Sequence, residues 1–435
     1  MNYQFPGYLT QKQFDDDPSQ AQNTRVFSDG GFEYDISGGV NLRWMPADNI
    51  EVFFPLSYIW KNTESDSSGA MSMSYGSLVH TAGFRPQLKV SFDIAKMPAR
   101  ILCGIDLYYA HTDKNSYETI TRTGNPFKTN VSLWTLGPFI SARLDPFTSL
   151  NLDAGLRWDS AYQSSEKNKP QTEKQYKQFK TLVYEFAVVY RPVDQLKIYA
   201  KYSTTFRYPF TDELTSWYGT AYDSYVSDLA PEKGFNLEGG IGFRLGDWVD
   251  INGNVYYMKT EDEIAYDNTK NMNSNMDTTQ RIGTNISLRT LILRRFDLQC
   301  SYSYVDAVFI NGVNEGKHIP LVSAHAFYGG LLVKTKSGFS FGPDIEYRGA
   351  RPFGSDYANA AKDMEAYVLI GLKARYVFEK EGKQYLIQLS IKNIADVKYA
   401  TYGFYTPDYG SGETFTYYPN ADMGRSFTIS LRCGF

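Results

Sequence analysis

The last eleven residues constrain the fold more than any other stretch of this chain. Arg425–Phe435 reads Arg-Ser-Phe-Thr-Ile-Ser-Leu-Arg-Cys-Gly-Phe. Phe427, Ile429, Leu431, Cys433 and Phe435 fall on one face of a strand, and Ser426, Thr428, Ser430 and Arg432 on the other. A soluble domain seldom dresses one face of its last strand for a solvent as apolar as a core. A β-barrel that crosses an outer membrane must do so, because its closing strand faces lipid outward and a polar lumen inward.

The same period of two recurs along the chain. Leu150, Leu152, Ala154, Leu156 and Trp158 alternate with Asn151, Asp153, Gly155 and Arg157. Val249, Ile251, Val255 and Tyr257 alternate with Asp250, Asn252 and Asn254, and Tyr385, Ile387, Leu389 and Ile391 with Gln388, Ser390 and Lys392. The second face is polar and carries charge at its centre, which suits a wet lumen. No stretch approaches the ~20 consecutive apolar residues of a transmembrane helix, and mean hydropathy is negative. The 35 Tyr, 28 Phe and 6 Trp suit interface girdles, since Tyr and Trp have an apolar body and a polar tip. On composition alone, a Tyr-rich secreted β-sandwich is the alternative.

Connections alternate in length. Short turns are expected at Pro46–Asn49, Asp145–Pro146, Pro192–Gln195, Gly246–Asp247, Lys336–Gly338 and Glu379–Lys383. Long polar connections are expected at Asp159–Gln178, Arg207–Gly234, Glu263–Gln280, Asn311–Ser323, Gly349–Asp363 and Val397–Met423. Short turns on one rim and long loops on the other form the periplasmic/extracellular asymmetry of outer-membrane barrels. The expectation is an all-β, antiparallel transmembrane β-barrel domain over residues 1–435, with about 17 to 19 strands. The first strand, Gly31–Trp44, and the last both point from the long-loop rim to the short-turn rim, so the count is odd. Bacterial single-chain barrels have even counts. The parity implies that strands are missing upstream of Met1, out of the 22 of a plugged transporter.

Other classes find little support. Net charge is −4 with no long basic run, so nothing favours nucleic acid. Cys103, Cys300 and Cys433 are widely spaced and read as small apolar residues rather than a disulfide frame. His80, His111, His318 and His325 make no ligand spacing, and no Ser or Asp partner completes a catalytic set. We expect no enzyme, no metal and no cofactor. Asp15-Asp16-Asp17 reads as a solvated loop, since EF-hand spacing is absent. Asn2–Gly7 has no charged start and no apolar h-region, so the expectation is a removed or omitted leader, or a missing natural beginning.

Several loop-edge segments are more specific. Phe206-Arg207-Tyr208-Pro209 ends a strand, and Leu229-Ala230-Pro231-Glu232 enters the next. Further on come Lys317-His318-Ile319-Pro320-Leu321-Val322-Ser323, Asn393-Ile394-Ala395-Asp396-Val397-Lys398-Tyr399, Tyr417-Tyr418-Pro419 and Gly424-Arg425-Ser426-Phe427. In this order they resemble the barrel of a TonB-dependent outer-membrane receptor. Pro6-Gly7-Tyr8-Leu9-Thr10 resembles an early loop of such barrels. Ser323 stands where the family often has a second Pro, and Asn285 where it often has Glu. The family's N-terminal plug and TonB box have no counterpart here.

The resemblance implies capture of a large scarce solute, most often an iron–siderophore, in the outer membrane of a Gram-negative-type bacterium. Partners implied are outer-membrane lipid and, through a plug, the TonB-ExbB-ExbD system. The alternatives are a fragment or split receptor inactive alone, and an ungated porin-like channel. Arg207 either reaches a ligand or pairs with Asp212 or Glu213. Candidate ligand contacts are Arg207, Tyr208, Trp217, Tyr218, Tyr222, Tyr225, Tyr402, Tyr405 and Tyr409. Rigid aromatics bind at little entropic cost, and the competing reading for these rings is girdle and loop packing. Asn393 and Asp396 are expected to cap their turn by Asx chemistry.

Overall fold

A computed structural model describes residues 2–4, 9–20, 29–67, 73–168, 172–211, 213–214, 228–267, 272–405, 415–417 and 424–434. Nineteen strands form one antiparallel sheet that winds through the chain in sequence order. Asn2–Gln4 is a three-residue piece. Met73–Phe84 and Gln87–Ile94 are two halves of one line, since both pair Ile50–Ser67 on one side and Met97–Tyr117 on the other. The break falls at Arg85-Pro86, where proline has no N–H for the ladder. Counted this way, seventeen long strands are present among the described residues, Gly30–Ala47 first and Ser426–Cys433 last.

The two faces differ as the alternation requires. Outward lie Leu156, Trp158, Leu182, Phe186, Ile241, Val255 and Leu389, all exposed. Rings form rows across neighbouring strands on this face. Tyr184, Tyr202, Phe235 and Tyr257 stand 6.0, 5.9 and 5.7 Å apart in turn. Near the short turns, Tyr376, Phe378 and Tyr385 stand 5.4 and 5.2 Å apart. The first row sits roughly seven to ten residues from its own short turns. At about 3.3 Å per residue and a tilt of 35–45°, that separation is on the order of 20–25 Å, the height of a lipid-facing band.

The inward face is wired by ion pairs. Glu51 binds both Arg43 and Lys89, Arg143 binds Asp153, Lys334 binds Asp297 and Lys373 binds Asp344. Arg157 joins Asp106 to Asp159. Gly137 leaves room for that guanidinium, which a Cβ there would overlap.

Two expectations are corrected. Asp159–Gln178 is not a loop. Leu150–Lys167 and Glu173–Val193 run through it in unbroken register, Asp159 opposite Thr181 and Lys167 opposite Glu173. Above the apolar band both faces are polar, so alternation disappears while the backbone ladder continues. Cross-strand pairs Lys167–Glu173 and Lys174–Glu166 hold the tip. The turn placed at Asp145–Pro146 lies at Thr148–Ser149 instead. Pro146 falls inside a register shift between Leu144 and Phe147, and Pro46 in one between Trp44 and Ala47. A bulge is where a strand tolerates a missing N–H.

Leaving aside the three-residue piece Asn2–Gln4, the first and last long strands of the sheet among the described residues run the same way, from long-loop rim to short-turn rim. Phe427, Ile429 and Leu431 are 71–75% exposed, against 49% for Leu389 on the neighbouring strand, as expected of an edge. Among the described residues, the free side of Gly30–Ala47 is met only by Asn2–Gln4, opposite Phe32, Gly31 and Gly30. At the long-loop rim the first connection reaches across to the last ones. Gln11–Asp16 is a short helix begun by a Thr10/Gln13 capping box. Lys398 Nζ donates to the carbonyls of Asp15 and Asp16, which satisfies orphan acceptors at the helix end. Leu9 is wholly buried with Phe353, Met364 and Ala400.

Candidate solute site at the long-loop rim

Arg207 is the last residue of the strand Leu196–Arg207. Its Nη1 donates to both oxygens of Glu213, at 2.8 and 2.7 Å, and its Nη2 to Glu232. Phe210 lies under the guanidinium at 4.8 Å. Glu213 also accepts from the Phe210 amide at 2.8 Å, and Glu232 from the Ile264 amide at 2.7 Å. One arginine therefore holds the departure and the return of the connection 208–231, and anchors the small hairpin beyond it. Tyr208 is buried with Ala110, Leu133 and Ala161 and packs on Phe179 and Phe206. Burial, with Asp159 nearby, pushes its hydroxyl pKa well up. Both residues sit in the wall that carries the loops.

A second cluster is built by four connections that are far apart in sequence. Around Leu9, Phe353, Met364 and Ala400 pack Phe14, Leu321 and Tyr405. Gly403–Tyr405 and Phe415–Tyr417 form a small hairpin, and the Gly354 amide donates to the Gly403 carbonyl at 2.9 Å. Tyr405 is half-buried in this packing, while Tyr402 is 41% exposed beside it. Trp217, Tyr218, Tyr222, Tyr225 and Tyr409 lie outside the described residues. Asn393 takes a positive φ of 55° and bonds Val397 through both its amide nitrogen and oxygen at 2.9 Å, the Asx cap expected of it.

Sequence reasoning missed Arg351, which is 5% exposed. It donates through Nη2 to the carbonyls of Ala400 and Thr401 at 2.8 and 3.1 Å. One signal was available: a lone charge within Gly349-Ala350-Arg351-Pro352-Phe353-Gly354. The loop around it is tightly bonded. The Asp356 carboxylate accepts from the amides of Ala360 and Ala361, and Tyr357 donates to the Tyr266 carbonyl at 2.8 Å.

Lower on the lumen wall, Arg85, Asp106, Phe139, Arg157, Val183 and Glu185 line a groove of about 350 Å³. Three histidines face outward in the aromatic belt. His80 bonds Tyr58, His111 bonds Ser132, and His325 bonds Tyr302. Among the described residues, no group of three or more His, Cys, Asp or Glu is placed to hold a metal ion.

Comparison with known proteins agrees with this geometry. Residues 2–394 match the family model described as TonB dependent receptor-like, beta-barrel. A probable TonB-dependent receptor of Bordetella pertussis, BfrD, is 22% identical over 337 residues, which are 73% of this chain and 42% of that protein. The ferric citrate transporter FecA, unliganded, superposes with a TM-score of 0.79 at 16% identity, covering 99% of this chain and 65% of that one. The ferric yersiniabactin uptake receptor FyuA of Yersinia pestis gives 0.77 at 13%, covering 98% and 65%. The siderophore receptor PiuA of Acinetobacter baumannii gives 0.74 at 16%, covering 93% and 65%. The chain thus spans less than two thirds of the length of these relatives, and the matches are to transport receptors rather than enzymes. Their shared family is one of outer-membrane barrels of Gram-negative bacteria, and this chain belongs to the TonB-dependent receptor β-barrel family.

Proposed function

We propose that this chain is the barrel and loop portion of an outer-membrane receptor for a large scarce solute of the ferric-siderophore kind. The observation that supports it most is the long-loop rim. Connections from distant parts of the chain pack there into one aromatic mouth over a lumen wired by paired charges. Family membership and the likeness to PiuA, FecA and FyuA point the same way. In this reading Tyr402, with the aromatic stretches around Trp217, Tyr218, Tyr222, Tyr225 and Tyr409, contacts the solute. Arg207 and Tyr208 hold the loop that presents them, and Tyr405 stiffens the mouth. Energy reaches the barrel from TonB through a plug that is not within these residues.

The two same-way edges favour one further element of the proposal. An antiparallel sheet closes only when an odd number of additional strands fills the seam. Five would make seventeen into the twenty-two of a plugged transporter. A second copy of this chain in the same membrane does not serve, because its edges run the same way as these. The partner is a plug with an odd set of strands, joined to this chain or separate from it.

The test is uptake of labelled ferric complexes by cells that carry the receptor, with and without a working TonB. Uptake that needs TonB supports the proposal. A steady large conductance of this chain alone in planar bilayers, without TonB-dependent uptake, would overturn it in favour of an open pore.

A further inference from the structure

We propose that Arg351 anchors an oxyanion site at the mouth, taking a carboxylate or a similarly charged oxygen acid group of the solute. This rests on the receptor reading above and narrows it to anionic solutes. The guanidinium is buried, and its Nη1 has no hydrogen-bond acceptor among the described residues. The carbonyls of Ala400 and Thr401 occupy Nη2 without neutralising the charge. Tyr367 lies 5.8 Å from the cation, and Tyr399 packs on Tyr367 at 4.7 Å.

Charged groups on its own connection are engaged elsewhere, Asp356 with the amides of Ala360 and Ala361. Arg348 adds to the local positive potential. Glu346 lies 3.6 Å from Arg348, and Lys362 and Glu365 are paired with each other at 2.8 Å. No described carboxylate forms an ion pair with Arg351. Burial and Arg348 together hold the pKa of Arg351 below the ordinary arginine value. An arginine stays protonated even so, and a buried charge without a counter-charge is strongly disfavoured. A planar fork with free Nη1 hydrogens fits an oxyanion. Its cover includes loop polypeptide, the Arg351–Met364 bridge and the Ala400–Thr401 carbonyls, and such segments open more readily than a ladder.

The test uses the purified full chain in detergent, with thermal unfolding followed during titration with citrate, phosphate and chloride at matched ionic strength. Citrate is expected to raise the melting temperature of the wild type while chloride does not. Arg351→Gln should weaken the apparent citrate affinity by about tenfold or more, and Arg351→Lys by less, because charge survives without the fork. No oxyanion-specific shift in the wild type overturns the proposal, as does an equal shift in Arg351→Gln. Should Arg351→Gln fail to fold, an Arg351→Lys response equal to wild type overturns it. TonB-dependent uptake of a neutral ferric complex, unaffected by Arg351→Lys, would refute the oxyanion site and leave the receptor reading standing.

Discussion

The Asp396 carboxylate accepts a hydrogen bond from the backbone amide of Arg425 at 3.0 Å. These residues belong to two motifs separated by the longest connection near the C-terminus. Asp396 has a positive φ of 55° and follows the strand Lys383–Lys392, while Arg425 immediately precedes Ser426–Cys433. The bond therefore pins the start of the edge strand to the end of its partner, at Lys392 opposite Ser426. Asp396→Ala is expected to destabilise this pairing by about 0.5–1 kcal/mol, the cost of losing a carboxylate–amide bond at an exposed site. Asp396→Asn keeps an acceptor and should recover most of the loss. Thermal melting in detergent would check both, and equal loss in the two variants would refute the assignment.

The Arg207 clamp makes a stronger demand. Removing the guanidinium leaves Glu213 and Glu232, about four-fifths buried, without their cation. Arg207→Gln should cost roughly 2–4 kcal/mol of local stability, since stranding a partly buried carboxylate costs more than the pair contributes. Limited proteolysis should then cut the connection 208–231 at lower protease concentration, while the strands stay resistant. Glu232→Gln should expose the same connection, and the double variant should be less damaged than the sum of the two.

Much of this fold was legible in the sequence because lipid outside and water inside impose a strict period of two. Leu156, Val255 and Leu389 face outward as their spacing requires, and Asn393 caps its turn. What escaped was structure with no lipid constraint. The strands of 159–178 continue above the membrane on a backbone ladder and cross-strand ion pairs, without an alternating pattern to announce them. Pro146 looks like a turn residue but sits in a bulge beside one. Lys398 reaches carbonyls more than 380 positions away, a contact between the first and last connections that no local pattern announces. Arg351 was missed for the same reason: its surroundings come from loops that meet only in the fold.

Tyr357 makes the loop above the mouth sensitive to alkali. Burial, with Asp267 nearby, pushes its pKa up to about 12 from an ordinary value near 10. A group raised in the folded state contributes fully below its unfolded pKa, and the contribution is lost as pH rises from about 10 to about 12. The loss is on the order of 2–3 kcal/mol for a two-unit shift. Hydrogen exchange or proteolysis of 349–366 should therefore accelerate over that range. Tyr357→Phe should start less protected, without the bond to Tyr266, and should show a flatter pH response.

The facing of the wall is tested by neighbours on one strand. Leu152 lies on the outer face with Leu156 and Trp158. Asp153 lies on the inner face, where Arg143 binds its two oxygens at 2.6 and 2.9 Å. Leu152→Arg places a cation in hydrocarbon and should destabilise the assembled barrel by about 2–4 kcal/mol if it lies at the bilayer midplane. Asp153→Asn removes one partner of a half-exposed pair and should cost about 1 kcal/mol or less. Folding titrations into lipid vesicles would measure both. Equal effects would refute the inside–outside assignment, and with it the reading of the alternation as lipid against lumen.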